Sequence, residues 1–192
     1  MKYLKTFEEI NLYHGSGNRF DKFDINKLSR NSGQDTYGWG IYFTDSEDVA
    51  KIYASEKDNS YVYHVKLHKG KTPENYDYLI FDKPLTDAQI VKIQKGLNGE
   101  NMDIDISMFK NGFETLKTLW EYFYNKLSIE QQFDYGYNTA KKQTSLFLLK
   151  CGIDGLKYKM PSNPFSHEKG YGGYNYVIFD DKNINIENIK YY

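Results

Sequence analysis

Hydrophobic and polar positions change period twice along the chain. Residues 10–82 read as short strands around one helix: 11–14 are a short apolar stretch, and 39–44 (WGIYFT) carry the aromatic and β-branched side chains of a buried strand. Asp45 and Ser46 supply a helix start. Glu47 and Asp48 then fall in the first turn, where acids suit the helix dipole, and Val49, Ala50 and Tyr53 follow on one face. Residues 61–68 alternate, with Tyr61, Tyr63, Val65 and Leu67 on one side and Val62, His64, Lys66 and His68 on the other, as in a half-buried strand.

From 86 to 151 the period is helical. Thr86 and Asp87 open a helix through Ile90, Val91 and Ile93; Phe113, Leu116, Trp120, Phe123 and Leu127 keep three-to-four spacing; Ala140, Thr144, Phe147, Leu148 and Cys151 do so again, up to Gly152. Strands return at 153–159, 174–180 and 184–186. Late strands have to pair with early ones, which predicts an α+β fold with its helices grouped on one side. No repeat, low-complexity tract or Pro/Ser-rich linker interrupts the pattern, so residues 1–192 read as one domain.

Composition narrows the function. With 25 Lys+Arg against 26 Asp+Glu, net charge −1, there is no footprint of a nonspecific nucleic-acid binder, although a local basic groove is compatible with that total. One Cys excludes an intrachain disulfide and a Cys-cluster zinc site, and suits a reducing, cytoplasmic setting. No apolar run approaches the roughly 18 residues of a membrane span, and 1–10 lacks the apolar core of a signal peptide. The 19 Tyr beside 12 Phe and 2 Trp are the one marked bias.

Common catalytic signatures are absent. His64 and His68 on a strand stand about 13 Å apart, too far to share a metal, and no H-E-x-x-H, Walker A loop, full G-x-G-x-x-G or G-x-S-x-G occurs. Three segments at strands or strand ends remain. Tyr13-His14-Gly15-Ser16 sets a His at a strand end before a Gly that lets a ligand approach the backbone. Gly38-Trp39-Gly40-Ile41-Tyr42-Phe43-Thr44 leads into the helix of Tyr53. Gly172-Gly173-Tyr174-Asn175-Tyr176-Val177-Ile178-Phe179-Asp180 puts a polar Asn175 at the head of an apolar strand, where it has to find partners or face a cleft. Taken singly, each also reads as a polar turn or a buried aromatic strand.

Together the three segments resemble the ADP-ribosyltransferase superfamily, in its diphtheria-toxin and poly(ADP-ribose) polymerase branch. The chain is similar above all to the bacterial and phage transferase domains of polyvalent proteins, which share the Phe-Asp-x-Phe-Asp pattern (here Phe20, Phe23 and Asp24 with Asp21 and Lys22), a Gly-Ile-Asp-Gly-Leu-x-Tyr strand from Gly152 to Tyr158, and the closing Asn-Tyr-Val-Ile-Phe-Asp. The resemblance implies split antiparallel sheets around an NAD cleft, with a helical segment in the middle of the chain. It implies NAD as co-substrate and no metal.

The same resemblance assigns roles. His14 would bond the nicotinamide ribose and Gly15 the carboxamide through its main chain, with Ser16 a third contact. Tyr42 and Tyr53, 11 residues apart, would sandwich the nicotinamide, with Phe43 beside them; the alternative for Tyr53 is a helix residue facing the core. Ala50 stands where the branch has a carboxamide-binding Ser. Asn175 stands where the polymerases have a Glu; it can bond a ribose hydroxyl but brings no charge. By analogy with removing one preorganised group, that lowers the rate about 10²- to 10³-fold and favours single transfer over chain elongation. Glu168, or else Asp154, is the candidate substitute acid; an exposed loop charge is the alternative for Glu168. The implied activity is mono-ADP-ribosyl transfer to a macromolecule, protein ahead of nucleic acid, by a phage or bacterial effector or toxin whose partners include a host target or an antitoxin, and with no membrane role. Lys141, Lys142, Lys157 and Lys159 would form the basic surface if the acceptor were RNA or DNA. A non-catalytic NAD-binding module is the reading from a different class.

Overall fold

The computed structural model describes residues 11–28, 37–55, 59–67, 76–160 and 173–192. Among them the chain forms β1 (Leu12–Ser16), β2 (Ile41–Thr44), α1 (Glu47–Ser55), β3 (Tyr61–Leu67), β4 (Tyr78–Ile80), α2 (Asp87–Gly99), α3 (Gly112–Asn125), α4 (Ile129–Lys150), β5 (Gly155–Lys159), β6 (Tyr174–Ile178) and β7 (Ile184–Tyr191). The strands make one seven-stranded sheet in the order β4-β5-β6-β2-β1-β3-β7, antiparallel throughout except for the β4–β5 pair. This is the α+β arrangement that the patterning predicts, although the strands form one continuous sheet rather than the split sheets that the resemblance implies, because β2 pairs with both β1 and β6.

Strand alternation sorts the side chains onto two faces. One face gathers Leu12, Ile41, Phe43, Tyr63, Tyr176 and Ile178 into a buried cluster, closed over by Phe20, Phe23 and Ile25 from the segment after β1. That segment is tied down by Tyr63, whose hydroxyl donates to the Asn18 carbonyl and accepts from the Phe20 N–H. The other face is covered by helices. α1 lies on β1 and β3, where Ala50, Ala54 and Val62 pack with Tyr13; α2, α3 and α4 cover the β4–β5–β6 side around Leu79, Leu116, Leu148, Leu156 and Val177. β3 is the half-buried strand its alternation suggests, with Tyr63, Val65 and Leu67 buried and His64 and Lys66 less so, except that α1 also buries Val62 on the other side.

Local chemistry sets the helix ends. Thr86 and Ser128 each form a capping box, with Gln89 and Gln131, and Asn111 caps α3. α4 therefore begins well before Ala140, where its apolar period becomes regular. Gly152, at φ +82°, turns the chain out of α4. β7 runs on to Tyr191 instead of stopping near 186, because β3 offers it a partner along its whole length.

Candidate active site

β1 pairs with β3 at all five of its residues but with β2 at one position only, Tyr13↔Thr44. Continuing that register would set Gly15 opposite Tyr42. At that point the Tyr42 carbonyl oxygen instead accepts a hydrogen bond from the His14 ring, with Nδ1 at 2.8 Å. His14 thus sits in the middle of β1, not at its end as the sequence suggests, and its side chain bridges two strands that have parted. On the side facing β2, the main chain of residues 14–16 has no strand neighbour among the described residues.

The His14 ring lies among aromatic carbon. Phe23 is 5.2 Å away between centroids, Phe43 5.9 Å, Tyr63 6.1 Å and Phe20 6.2 Å. Burial pushes its pKa below the ordinary histidine value, and the bond to the Tyr42 carbonyl opposes that shift in part. A carbonyl only accepts, so Nδ1 carries the proton, and in the neutral ring Nε2 is left as an acceptor. Nε2 makes no hydrogen bond to a described residue. Phe43, 2% exposed, backs the ring from within the core. The Phe20 and Phe23 pattern gains a physical reason here: both rings wall His14.

Gly15 has a second reason to be glycine. A Cβ there would stand 2.0 Å from the Ala50 carbonyl oxygen and 2.8 Å from the Ala54 nitrogen, so α1 lies directly on it. The sequence alone suggests ligand approach as the reason for the glycine, but helix packing by itself already demands it. Ala50 is fully buried in that contact. Ser16 Oγ accepts from the Asn18 N–H at 3.1 Å.

Tyr42 alternates to the helix-covered face. Its hydroxyl donates to the Gly38 carbonyl at 2.8 Å and accepts from the Tyr37 N–H at 3.2 Å, which closes the turn before β2. Tyr37 stacks on Tyr158 with 4.1 Å between centroids. Tyr158 lies opposite Asn175 in the β5–β6 register, so the two side chains rise side by side, and Asn175 acts to lower the Tyr158 pKa against the larger effect of burial. Asn175, 6% exposed, is flanked by Thr44 on its other side. Tyr53 is 49% exposed on α1, and the Tyr158 pKa is raised first by burial and then by the charges of Tyr53 and Tyr37, with Asn175 opposing. Tyr42 and Asn175 are thereby linked through Tyr37 and Tyr158. Neither of these two was given a role from sequence, although Tyr158 ends the strand motif that runs from Gly152.

The segment between β5 and β6 starts and finishes beside Asn175. The Met160 N–H donates to the Gly173 carbonyl at 3.2 Å, and Asp45 takes the Tyr174 N–H on Oδ1 at 2.9 Å while giving its own N–H to the Tyr174 carbonyl at 3.0 Å. Glu168, the candidate acid, lies outside the described residues. Asp154 does not fill that role: it precedes β5, four positions or about 13 Å along the strand from Tyr158, and its Oδ2 accepts from the Asp77 N–H at 2.8 Å, so it helps pin the start of β5 beside β4. The lysines do not form one surface. Lys141 and Lys142 lie over Trp120 and Trp39 on the helix side, whereas Lys157 lies over Tyr174 and Tyr176 on the other face. Among the described residues no three His, Cys, Asp or Glu side chains converge as a metal site requires.

Residues 8–185 match the family model for the ADP-ribosyltransferase in polyvalent proteins. No curated protein and no solved structure matches the chain. The matched span takes in β1 with His14 and Gly15, β2 with Tyr42, α1 with Tyr53 and β6 with Asn175. The chain belongs to the ADP-ribosyltransferase family found in polyvalent proteins, whose domains use NAD as co-substrate.

Proposed function

We propose that the chain is a mono-ADP-ribosyltransferase that moves ADP-ribose from NAD to a protein acceptor, as a phage or bacterial effector or toxin. The observation that carries this reading is the parting of β1 from β2 with the His14 ring across it. With no strand neighbour on the β2 side among the described residues, main-chain groups of residues 14–16 would be available to a carboxamide, and Nε2 would be a neutral acceptor suited to a ribose hydroxyl. Tyr42 and Tyr53 supply aromatic faces for the nicotinamide; stacking of this kind is worth roughly 1–3 kcal/mol per base. The bond between nicotinamide nitrogen and ribose C1′ breaks, its electron pair leaves with nicotinamide, and the acceptor nucleophile forms the new bond to C1′ and gives up its proton. The cleft assists by stabilising the cationic ribose more than bound NAD. Asn175 supplies a dipole there and no net charge, which favours one transfer over chain elongation. A protein acceptor is preferred because the lysines that would grip a polynucleotide lie on two faces of the sheet.

Labelled NAD incubated with host lysate tests the reading. Label should enter a protease-sensitive species, and His14→Ala should reduce its appearance about 10²-fold, the scale for deleting one preorganised group. Label that survives protease and is lost to nuclease moves the acceptor to RNA or DNA. The uncharged Asn175 favours one other reading, an NAD-binding module without turnover. Calorimetric NAD binding with no nicotinamide release over hours would select it.

A further inference from the structure

An amide can replace a carboxylate electrostatically only if its oxygen is turned the right way. We propose that Tyr158 is a positioning residue for Asn175: its phenol oxygen takes up the amide Nδ2–H, leaving Oδ1, the negative end of the amide dipole, as the end presented to the bound ribose. This rests on the ADP-ribosyl-transfer reading above. Three observations support it. Tyr158 and Asn175 are direct cross-strand partners, so the two side chains rise side by side from one face. The Tyr158 ring is held in place by its stack on Tyr37, 4.1 Å between centroids and 28° between planes, and the Tyr37 N–H is in turn held by the Tyr42 hydroxyl. Asn175 also acts to lower the Tyr158 pKa, the direction expected of an amide N–H facing the phenol oxygen, while burial, the larger effect, keeps the phenol neutral. An asparagine only 6% exposed has to find a partner for its amide, and the phenol oxygen of its cross-strand neighbour is the polar group set beside it.

The test pairs kinetics with a measurement that does not depend on turnover. Tyr158→Phe keeps the stack on Tyr37 and deletes only the hydroxyl. It should lower kcat for nicotinamide release about tenfold, the worth of one orienting hydrogen bond, with KM for NAD changed less than about twofold. In an Asn175→Ala background the same change should have no further effect, because the group it orients is gone. In parallel, the Asn175 side-chain amide resonances, assigned by their loss in Asn175→Ala, should show slow hydrogen exchange in the wild-type chain and exchange at least about tenfold faster in Tyr158→Phe. The proposal is overturned by an equal drop in kcat in both backgrounds, by an effect confined to KM, or by amide exchange that ignores the hydroxyl. A wild-type chain that releases no nicotinamide overturns the transfer reading instead, and amide exchange then decides the positioning role by itself.

Discussion

Replacing Gly15 with alanine separates two reasons for a glycine in the His-Gly-Ser segment. The added methyl carbon would lie 2.0 Å from the Ala50 carbonyl oxygen and 2.8 Å from the Ala54 nitrogen, against at least 3.4 Å for ordinary contact, so α1 has to withdraw by 3.4 − 2.0 = 1.4 Å or tilt. Both obstructing atoms are main-chain atoms of a helix and cannot rotate away. The cost therefore sits at or above the top of the usual overpacking range, about 3 kcal/mol, and it loosens the contact of Ala50, Ala54 and Val62 with Tyr13. For a chain of this size, about 3 kcal/mol lowers the melting temperature by roughly 6–12 °C. Thermal and urea unfolding followed by circular dichroism measure this. Gly99→Ala is the control: nothing lies within 4 Å of its added carbon, and at the end of α2 the change should be neutral or stabilising by up to about 1 kcal/mol. Because α1 carries Tyr53, Gly15→Ala should also weaken NAD binding. If Gly15→Ala melted within about a degree of the wild type and lost only NAD binding, the helix-clearance argument would be wrong and ligand approach would be the whole reason for the glycine.

Other perturbations test further parts of the structure. His14 is held neutral chiefly by burial, so the folded state resists a proton that the unfolded chain accepts near pH 6.5; stability is unaffected by this group well above that pH and falls as pH drops from about 6.5 through the lower folded-state pKa. Urea unfolding at pH 8 and pH 5.5 should show a larger loss for the wild type than for His14→Gln, and equal losses would contradict the buried neutral ring. The Cys151 thiol is pushed up to about 11 by burial, with Lys150 opposing, so at pH 7.5 it should react with a disulfide reagent about 10²-fold more slowly than a free cysteine; reaction at the free rate would mean the thiol is open to water. Thr86→Ala removes one half of the capping box at α2 and should cost about 1 kcal/mol, a fall of about 2–4 °C in Tm by calorimetry, whereas an unchanged Tm would show the cap to be dispensable.

What could be read directly from the chain was whatever depends on neighbours in sequence. The three-to-four spacing marked α2, α3 and the later part of α4, and Asp45-Ser46 with its following acids marked α1. The glycine-flanked segments around His14, Tyr42 and Asn175 marked strands that carry polar chemistry. The true start of α4 is also encoded locally: Ser128 and Gln131 are a capping-box pair, and they place it well before its apolar period becomes regular. β4 and the far half of β7 were not legible, since a short run such as 78–80, or a polar one such as 187–190, becomes a strand only when another strand offers it hydrogen bonds.

The site follows the same division. Residue type and order along the chain pointed to His14, Gly15, Tyr42, Tyr53 and Asn175, and alternation said which side chains share a face. It did not say what lies against each face: α1 covering Val62 and filling the space above Gly15, or the aromatic rings of 20 and 23 walling His14. Above all, the parting of β1 from β2, the His14 ring on the Tyr42 carbonyl, and Tyr158 beside Asn175 join residues 28 and 17 positions apart in sequence. These pairings are set by strand register and by the packing of a whole sheet against its helices, and no local period encodes them. The chain's own pattern thus specified the chemistry available to this transferase domain, and long-range packing specified which of those groups meet.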